Sequence, residues 1–322
     1  MNSTDLLTAI TLQINVSPGD VRYADLTVPA IVKQHQNIEK RLLIVDCCRP
    51  QKTKLVNPDV RYPKLIFDEN VKKIVAIAEK LLKDGIVTSV YYLKPEDPLI
   101  NQLAKKYLRN FYNCTHSAGG TANMSYWAGI ELVTTKYVLH YDGDMLLYQA
   151  PGYNWVTEAK QLMDQDENAV ISVPRLCPPI KDNLNIPSFH EGRKFIEKPT
   201  HWLNDWFSTR QFLLDKTKFD KYLPLPRGSV ALQLLARKYG KRAFPIDPEI
   251  LMFKSLGPRN AKRLVLKNES AWLLHPTDKG PDFIAILPKL ISTIAQGKFP
   301  SSQVGFEDLK LNDWVTYFSE QD

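Results

Sequence analysis

Two carboxylates one residue apart close an apolar run: Tyr137-Val138-Leu139-His140-Tyr141-Asp142-Gly143-Asp144. Hard oxygen ligands in this arrangement suit Mg²⁺ or Mn²⁺ that already carries phosphate oxygens. A cation held there would stabilise a departing diphosphate as a Lewis acid. Gly143, lacking a side chain, lets the backbone come close to a ligand. Asp-Gly is also a common turn dipeptide, so a plain surface turn is the competing reading.

Three further stretches carry usable chemistry. His116 to Ile130 contains the turn Gly119-Gly120 followed by Asn123 in a stretch with helical character. Trp272-Leu273-Leu274-His275-Pro276-Thr277-Asp278-Lys279 places an imidazole and a cation four residues apart, two groups that could serve a metal and its phosphates together. A histidine after an apolar run can equally be a core residue. Trp202 to Arg210 combines aromatic side chains with Asp205, a mixture that suits sugars through stacking and hydroxyl hydrogen bonds, or else a packing patch. His140 lies inside the apolar run, where a sheet role fits best; His116, His190 and His201 are not singled out.

The elements that must position these residues alternate. Ile10–Val16 and Leu42–Asp46 read as strands, with helical spacing over 24–39 between them. Val71, Ile74, Val75, Ala78, Leu81 and Leu82 form one face of a helix over 69–84, stopped by Gly85. A strand at 87–93, a helix containing Leu99 to Leu108, a helix at 121–133 and the strand into Asp142 follow. Helix 154–163, strand 169–173, helix 229–239 and strand 243–246 continue the series. Repeated strand-helix-strand units predict an α/β fold with a mainly parallel sheet covered by helices. Ligands of such sheets sit beyond the carboxyl ends of the strands, which places Asn15 to Pro18, Asp46 and Asp142 to Asp144 on one rim. Residues 177–200, proline-rich and polar, break the alternation and read as a lid or as disorder. Past about 250 the chain reads as irregular, then as helices at 282–296 and about 307–319.

With these residues in place, the sequence resembles GT-A-type glycosyltransferases, especially the family 2-like group. The resemblance lies in the Gly-rich turn, the helical Asn123, the Ala128-Gly129-Ile130 step and the strand ending in Asp142-Gly143-Asp144, and covers roughly residues 10–175. It implies a Rossmann-like domain over 1–250 that binds a nucleotide-diphosphate sugar such as a UDP- or GDP-sugar, and a helical C-terminal extension over 251–322 that completes the metal and acceptor site. Asn15, Val16, Ser17 and Pro18 would line the base and ribose pocket, and Asp46 would accept a hydrogen bond from the base. Gly119, Gly120 and Asn123 would lie against nucleotide or sugar. Asp142 and Gly143 would contact ribose or metal-bound water, Asp144 and His275 would ligate Mn²⁺ or Mg²⁺ with Asp142, and Lys279 would meet the diphosphate. The acceptor hydroxyl would belong to a carbohydrate, a lipid or a small molecule.

The chain departs from the family where an acid opens a late helix: Pro226 to Gln233 has none. Retention without a dedicated protein base is therefore the favoured outcome, with Asp205 the best single candidate if a base exists, and Glu249 another.

Composition narrows the alternatives. The 322 residues are 44% hydrophobic and 24% charged, an ordinary globular balance without an 18-residue apolar run for a membrane span. The start, Met1 to Asp5, lacks a secretory pattern, so a cytoplasmic location is expected. Cys47, Cys48, Cys114 and Cys177 have no metal-ligand spacing and read as thiols. A net charge of +7 suits polyanionic ligands and leaves peripheral membrane contact open. Nucleic-acid binding lacks any aromatic-basic module, a dehydrogenase would want a Gly-x-Gly-x-x-Gly turn, and a sugar-phosphate nucleotidylyltransferase would want a Gly-rich basic loop after the first strand. A nucleotide-binding protein without turnover is the remaining alternative.

Overall fold

The computed structural model describes residues 9–179, 195–240 and 243–320. Eleven strands occur among them: β1 (Ile10–Val16), β2 (Lys40–Asp46), β3 (Ser89–Leu93), β4 (Tyr137–Asp142), β5 (Leu146–Gln149), β6 (Ala169–Val173), β7 (Ile196–Glu197), β8 (His201–Asn204), β9 (Gln211–Asp215), β10 (Lys262–Leu266) and β11 (Ala271–Leu274). Nine form one sheet in the order β3-β2-β1-β4-β9-β6-β10-β8-β7, and β5 pairs with β11 in a second, antiparallel ribbon. In the large sheet β3, β2, β1 and β4 are mutually parallel, β9 runs against β4 and β6, β10 follows β6, and β8 runs against β10 and β7. Only β9 and β8 are reversed, so seven of the nine strands point one way. The mainly parallel α/β class read from the sequence is the class observed.

Covering both faces makes the central strands apolar on both sides. Leu42 and Ile44 of β2 pack with Trp127 on one face, while Leu43 and Val45 pack with Trp155 on the other. The helix Met124–Leu132 is buried from Met124 to Ile130, wedged beside the helix Pro98–Leu108, where Tyr107 stacks on Trp127 at 5.4 Å. The amphipathic helix expected over 69–84 runs from Lys64 to Lys83, starting directly after Pro63 and burying Phe67, Ile74, Ala78 and Leu81.

The second half departs from expectation. Residues 243–246 form no strand; Pro245 has no N–H to give a ladder, and its carbonyl instead accepts the Ala118 N–H at 2.8 Å. Past residue 250 the chain is not irregular: the helix Pro248–Leu256 leads into β10, which joins the large sheet between β6 and β8, and then into β11. The final helices are Pro281–Ala295 and Leu311–Ser319. The expected lid at 177–200 falls mostly outside the described residues. No described helix is long and apolar enough to cross a membrane, and all four cysteines are free.

Candidate active site

The parallel register brings the expected rim together. Asn15 of β1 pairs with Asp142 of β4, and Val16 with Val45, so the carboxyl ends of β1, β2 and β4 stand side by side. Two adjoining cavities open there. Asn15, Ser17, Asp46, Tyr126, Asp142 and Asp144 line the smaller, of about 160 Å³. Ser17, Pro18, Tyr62, Phe67, His116 and Gly120 line the larger, of about 250 Å³. Val16 and Gly143 also border the smaller cavity.

Gly143 is needed for packing. A Cβ there would stand 2.7 Å from Val16 Cγ1 and 2.9 Å from the Asn15 carbonyl, and the Gly143 N–H donates to that carbonyl at 2.8 Å. Thr27 donates to the Gly143 carbonyl from the helix Ala24–Gln34. The turn between the two acids is thus clamped to β1.

The two acids differ in surroundings. Asp142 receives the Tyr126 hydroxyl at 3.0 and 2.9 Å on its two oxygens, with His140 Nε2 at 3.4 Å. Burial pushes its carboxyl above the ordinary range, while His140 and Tyr126 pull the other way. His140 is therefore a support of the acid from within the sheet, stacked on Phe212 at 4.7 Å. Asp144 is buried; Lys279 donates to its Oδ2, and its Oδ1 has no partner. Asp46 caps its own strand end by accepting the Cys48 N–H at 2.9 Å on Oδ1, and its buried Oδ2 is left without a partner.

His275 follows β11, and its Nε2 stands 4.0 Å from Asp144 Oδ2. Burial and the nearby Arg210 hold its pKa below the usual histidine value, against Asp144 and Asp308, which favours the neutral imidazole that ligates metals. Asp308 Oδ1 meets His275 Nδ1 at 3.1 Å, leaving Nε2 on the side of Asp144.

These residues fit a divalent cation. Neighbouring ligands of an octahedral cation with bonds of about 2.1 Å stand about 3 Å apart; Asp144 Oδ2 and His275 Nε2 stand at 4.0 Å, so the two side chains would close by about 1 Å on one cation. Asp144 Oδ1 is an orphaned buried acceptor beside them. Among the described residues no three metal-binding side chains already converge, so phosphate oxygens and water would complete the shell.

Other expected residues are placed elsewhere. Gly119 is exposed and borders neither cavity, whereas Gly120 borders the larger one with a φ of +85° that favours glycine. Asn123 is fully buried and donates to the Ile246 carbonyl at 3.4 Å. Asp205 lies against Gly257, at the end of the helix Pro248–Leu256, and borders neither cavity. Of the aromatic side chains of 202–210, Trp202 and Phe207 are buried in the core, while Trp206 packs on Phe253 at 5.0 Å and stays half-buried. For Trp202 and Phe207 packing is what is observed, and Trp202 belongs to β8, which lies inside the sheet.

Several residues escaped the sequence reading. Asp20 also borders the smaller cavity; it accepts the Ser17 N–H at 2.6 Å and the Tyr23 hydroxyl, and burial followed by repulsion from Asp144 pushes its pKa up to about 6. The pattern Ser17-Pro18-Gly19-Asp20 is a capping box and could have announced this turn. Asp308 and the half-buried Glu307, whose pKa is pushed up to about 7 by desolvation against the pull of Arg210 and Arg263, carry no local signal.

No protein-family model and no curated protein matches this sequence. Among solved structures the fold is similar to that of the galactosyltransferase LgtC in complex with donor and acceptor sugar analogues, at 10% identity over 91% of this chain and 98% of that one, with a TM-score of 0.38. An active-site mutant of LgtC matches at 11% identity over 77% and 70% of the two chains, with a TM-score of 0.34. The mannosyltransferase Ktr4p from S. cerevisiae matches at 13% identity over 80% and 66%, with a TM-score of 0.36. Likenesses this distant do not specify a reaction; that reading rests on the residues themselves.

Proposed function

We propose that the chain is a metal-dependent glycosyltransferase of the GT-A type, moving a sugar from a nucleotide-diphosphate donor to an acceptor hydroxyl. The observation that carries this is the meeting of His275 and Lys279 at Asp144, with Lys279 lying 135 residues further along the chain than the acid it bonds. A carboxylate, a neutral imidazole and a cation beside a cavity at a parallel-sheet rim are the groups a metal-diphosphate needs. Asp144 and His275 would hold Mn²⁺ or Mg²⁺, which supplies Lewis-acid stabilisation of the departing diphosphate. Lys279 exchanges Asp144 for phosphate oxygens, Asp142 accepts from ribose or metal-bound water, and the unpartnered Asp46 Oδ2 accepts from the base. His275 and Lys279 come from the part of the chain after residue 250, so the extension completes the site. A UDP- or GDP-sugar donor and a cytoplasmic setting belong to this reading. Retention without a protein base is supported by the placement of Asp205 against Gly257, away from both cavities.

The test is a panel of UDP- and GDP-sugars with and without Mn²⁺, followed by thermal shift and by donor turnover. A matching donor at about 100 times its Kd adds about 2.7 kcal/mol of stability. Asp144→Ala should lose the metal-dependent part of the shift and the turnover while keeping its fold. No shift with any donor, or full turnover by Asp144→Ala in chelator, rejects the assignment; a shift without turnover points to a binding protein.

A further inference from the structure

Four large apolar side chains crowd into twelve residues on the outside of the molecule. Leu55, Val60, Leu65 and Ile66 are exposed by 65, 77, 86 and 58%. Between residues 49 and 73, lysine and arginine outnumber aspartate and glutamate by seven to three, a surplus of four within a chain whose total is +7. Asp59 is the one acid between 52 and 66, and it pairs with Arg49 at 2.7 Å; Lys64 pairs with Asp68 at 2.7 Å, and Lys52, Lys54 and Arg61 are exposed.

This stretch is held as a platform from beneath. Thr53 donates to the Ala118 carbonyl at 2.7 Å, and Arg49 Nε donates to the Tyr62 carbonyl at 2.8 Å. Val56 is buried against Gly120, and Phe67 anchors the first turn of the helix Lys64–Lys83. The fixed backbone keeps Val60 and Leu65 outside, where apolar side chains gain nothing from water. Arg61, Tyr62 and Ile66 also line the larger cavity, so the platform borders the candidate site.

We propose that this surface seats the protein on an anionic lipid bilayer. Apolar side chains beside lysines match the acyl boundary and the charged headgroups together, as in other interfacial anchors. Each basic residue near an anionic leaflet strengthens partitioning about fivefold. A second copy of the chain would satisfy the apolar side chains but set one positive surplus against another. The bilayer satisfies both, and it presents the cavity mouth to the headgroup layer.

Flotation with phosphatidylcholine vesicles, with and without phosphatidylglycerol, tests this directly. The full chain should float with the anionic vesicles at low salt, and high salt should release most of it. Val60→Asp with Leu65→Asp, both outside the cavity lining, should lower partitioning about tenfold or more. Lys52→Glu with Lys54→Glu should lower it comparably, while Leu232→Asp, exposed elsewhere at 69%, should leave it unchanged. Unaltered thermal midpoints establish that each variant is folded. Equal binding to neutral and anionic vesicles, no binding to either, or wild-type flotation by the Val60/Leu65 variant overturns the proposal. So does a dimer that this variant splits while neither form floats.

Discussion

The Asp308 carboxylate meets the Nδ1 of His275 at 3.1 Å, and backbone bonds flank that contact on both sides. The His275 N–H donates to the Glu307 carbonyl at 2.9 Å, and the Leu309 N–H donates to the His275 carbonyl at 2.8 Å. Arg210, whose carbonyl accepts the Asp142 N–H at 2.7 Å, stands 3.8 Å from the same Asp308 carboxylate. The segment at 307–309 therefore ties the imidazole to the β4 acid through one short network.

Such a carboxylate fixes the tautomer and the ring of a metal-binding histidine, and losing it typically costs 10- to 100-fold in metal affinity. Asp308→Ala should weaken Mn²⁺ binding about tenfold or more, read by calorimetric or paramagnetic titration. Unchanged affinity in a folded variant would show that the backbone clasp alone orients His275.

Lys279 should act in opposite directions on two ligands. It neutralises Asp144, so Lys279→Ala should bind Mn²⁺ alone a few fold more tightly by removing a competing cation. The same variant should bind nucleoside diphosphate with metal about tenfold more weakly, having lost a charge-assisted contact. A change of the same sign in both titrations would refute the exchange of partners.

Glu307 predicts a pH dependence of stability. Its pKa is raised from 4.5 to about 7 by burial, so between those values the folded chain holds a proton that the unfolded chain releases. Stability contributed by the protonated group is complete below about 4.5, falls as pH rises toward 7, and stays low above. Urea unfolding of Glu307→Gln across that interval should lack this downward slope relative to wild type. Parallel pH profiles for the two proteins would exclude Glu307 as its source.

Gly143→Ala should destabilise the chain by about 1–3 kcal/mol, the usual range for overpacking. The cause is the added methyl at 2.7 Å from Val16 Cγ1 and 2.9 Å from the Asn15 carbonyl. Denaturant unfolding measures it; a wild-type midpoint would mean that the β1 end yields freely.

The sequence by itself determined the front half and its rim. β1 runs from Ile10 to Val16, as the alternation of apolar and polar residues predicted, and β6 from Ala169 to Val173, while Asp142 and Asp144 sit at the expected strand end. Strands buried on both faces and amphipathic helices write themselves into local composition. Tertiary structure decided the rest. β8 to β11 are four or five residues long, and such short apolar runs carry no period of their own. Trp202 suits a sugar platform or a packing patch equally by residue type, and the entry of β8 into the sheet beside β10 decides for packing. Asp205 turns toward Gly257 for the same reason: its neighbours are set by a helix some fifty residues later. The pairing of Asp144 with His275 and Lys279, and of His275 with Asp308, joins distant segments. Residue types can nominate such groups, but only the folded chain brings them within bonding distance, because no local interaction encodes contacts between segments so far apart.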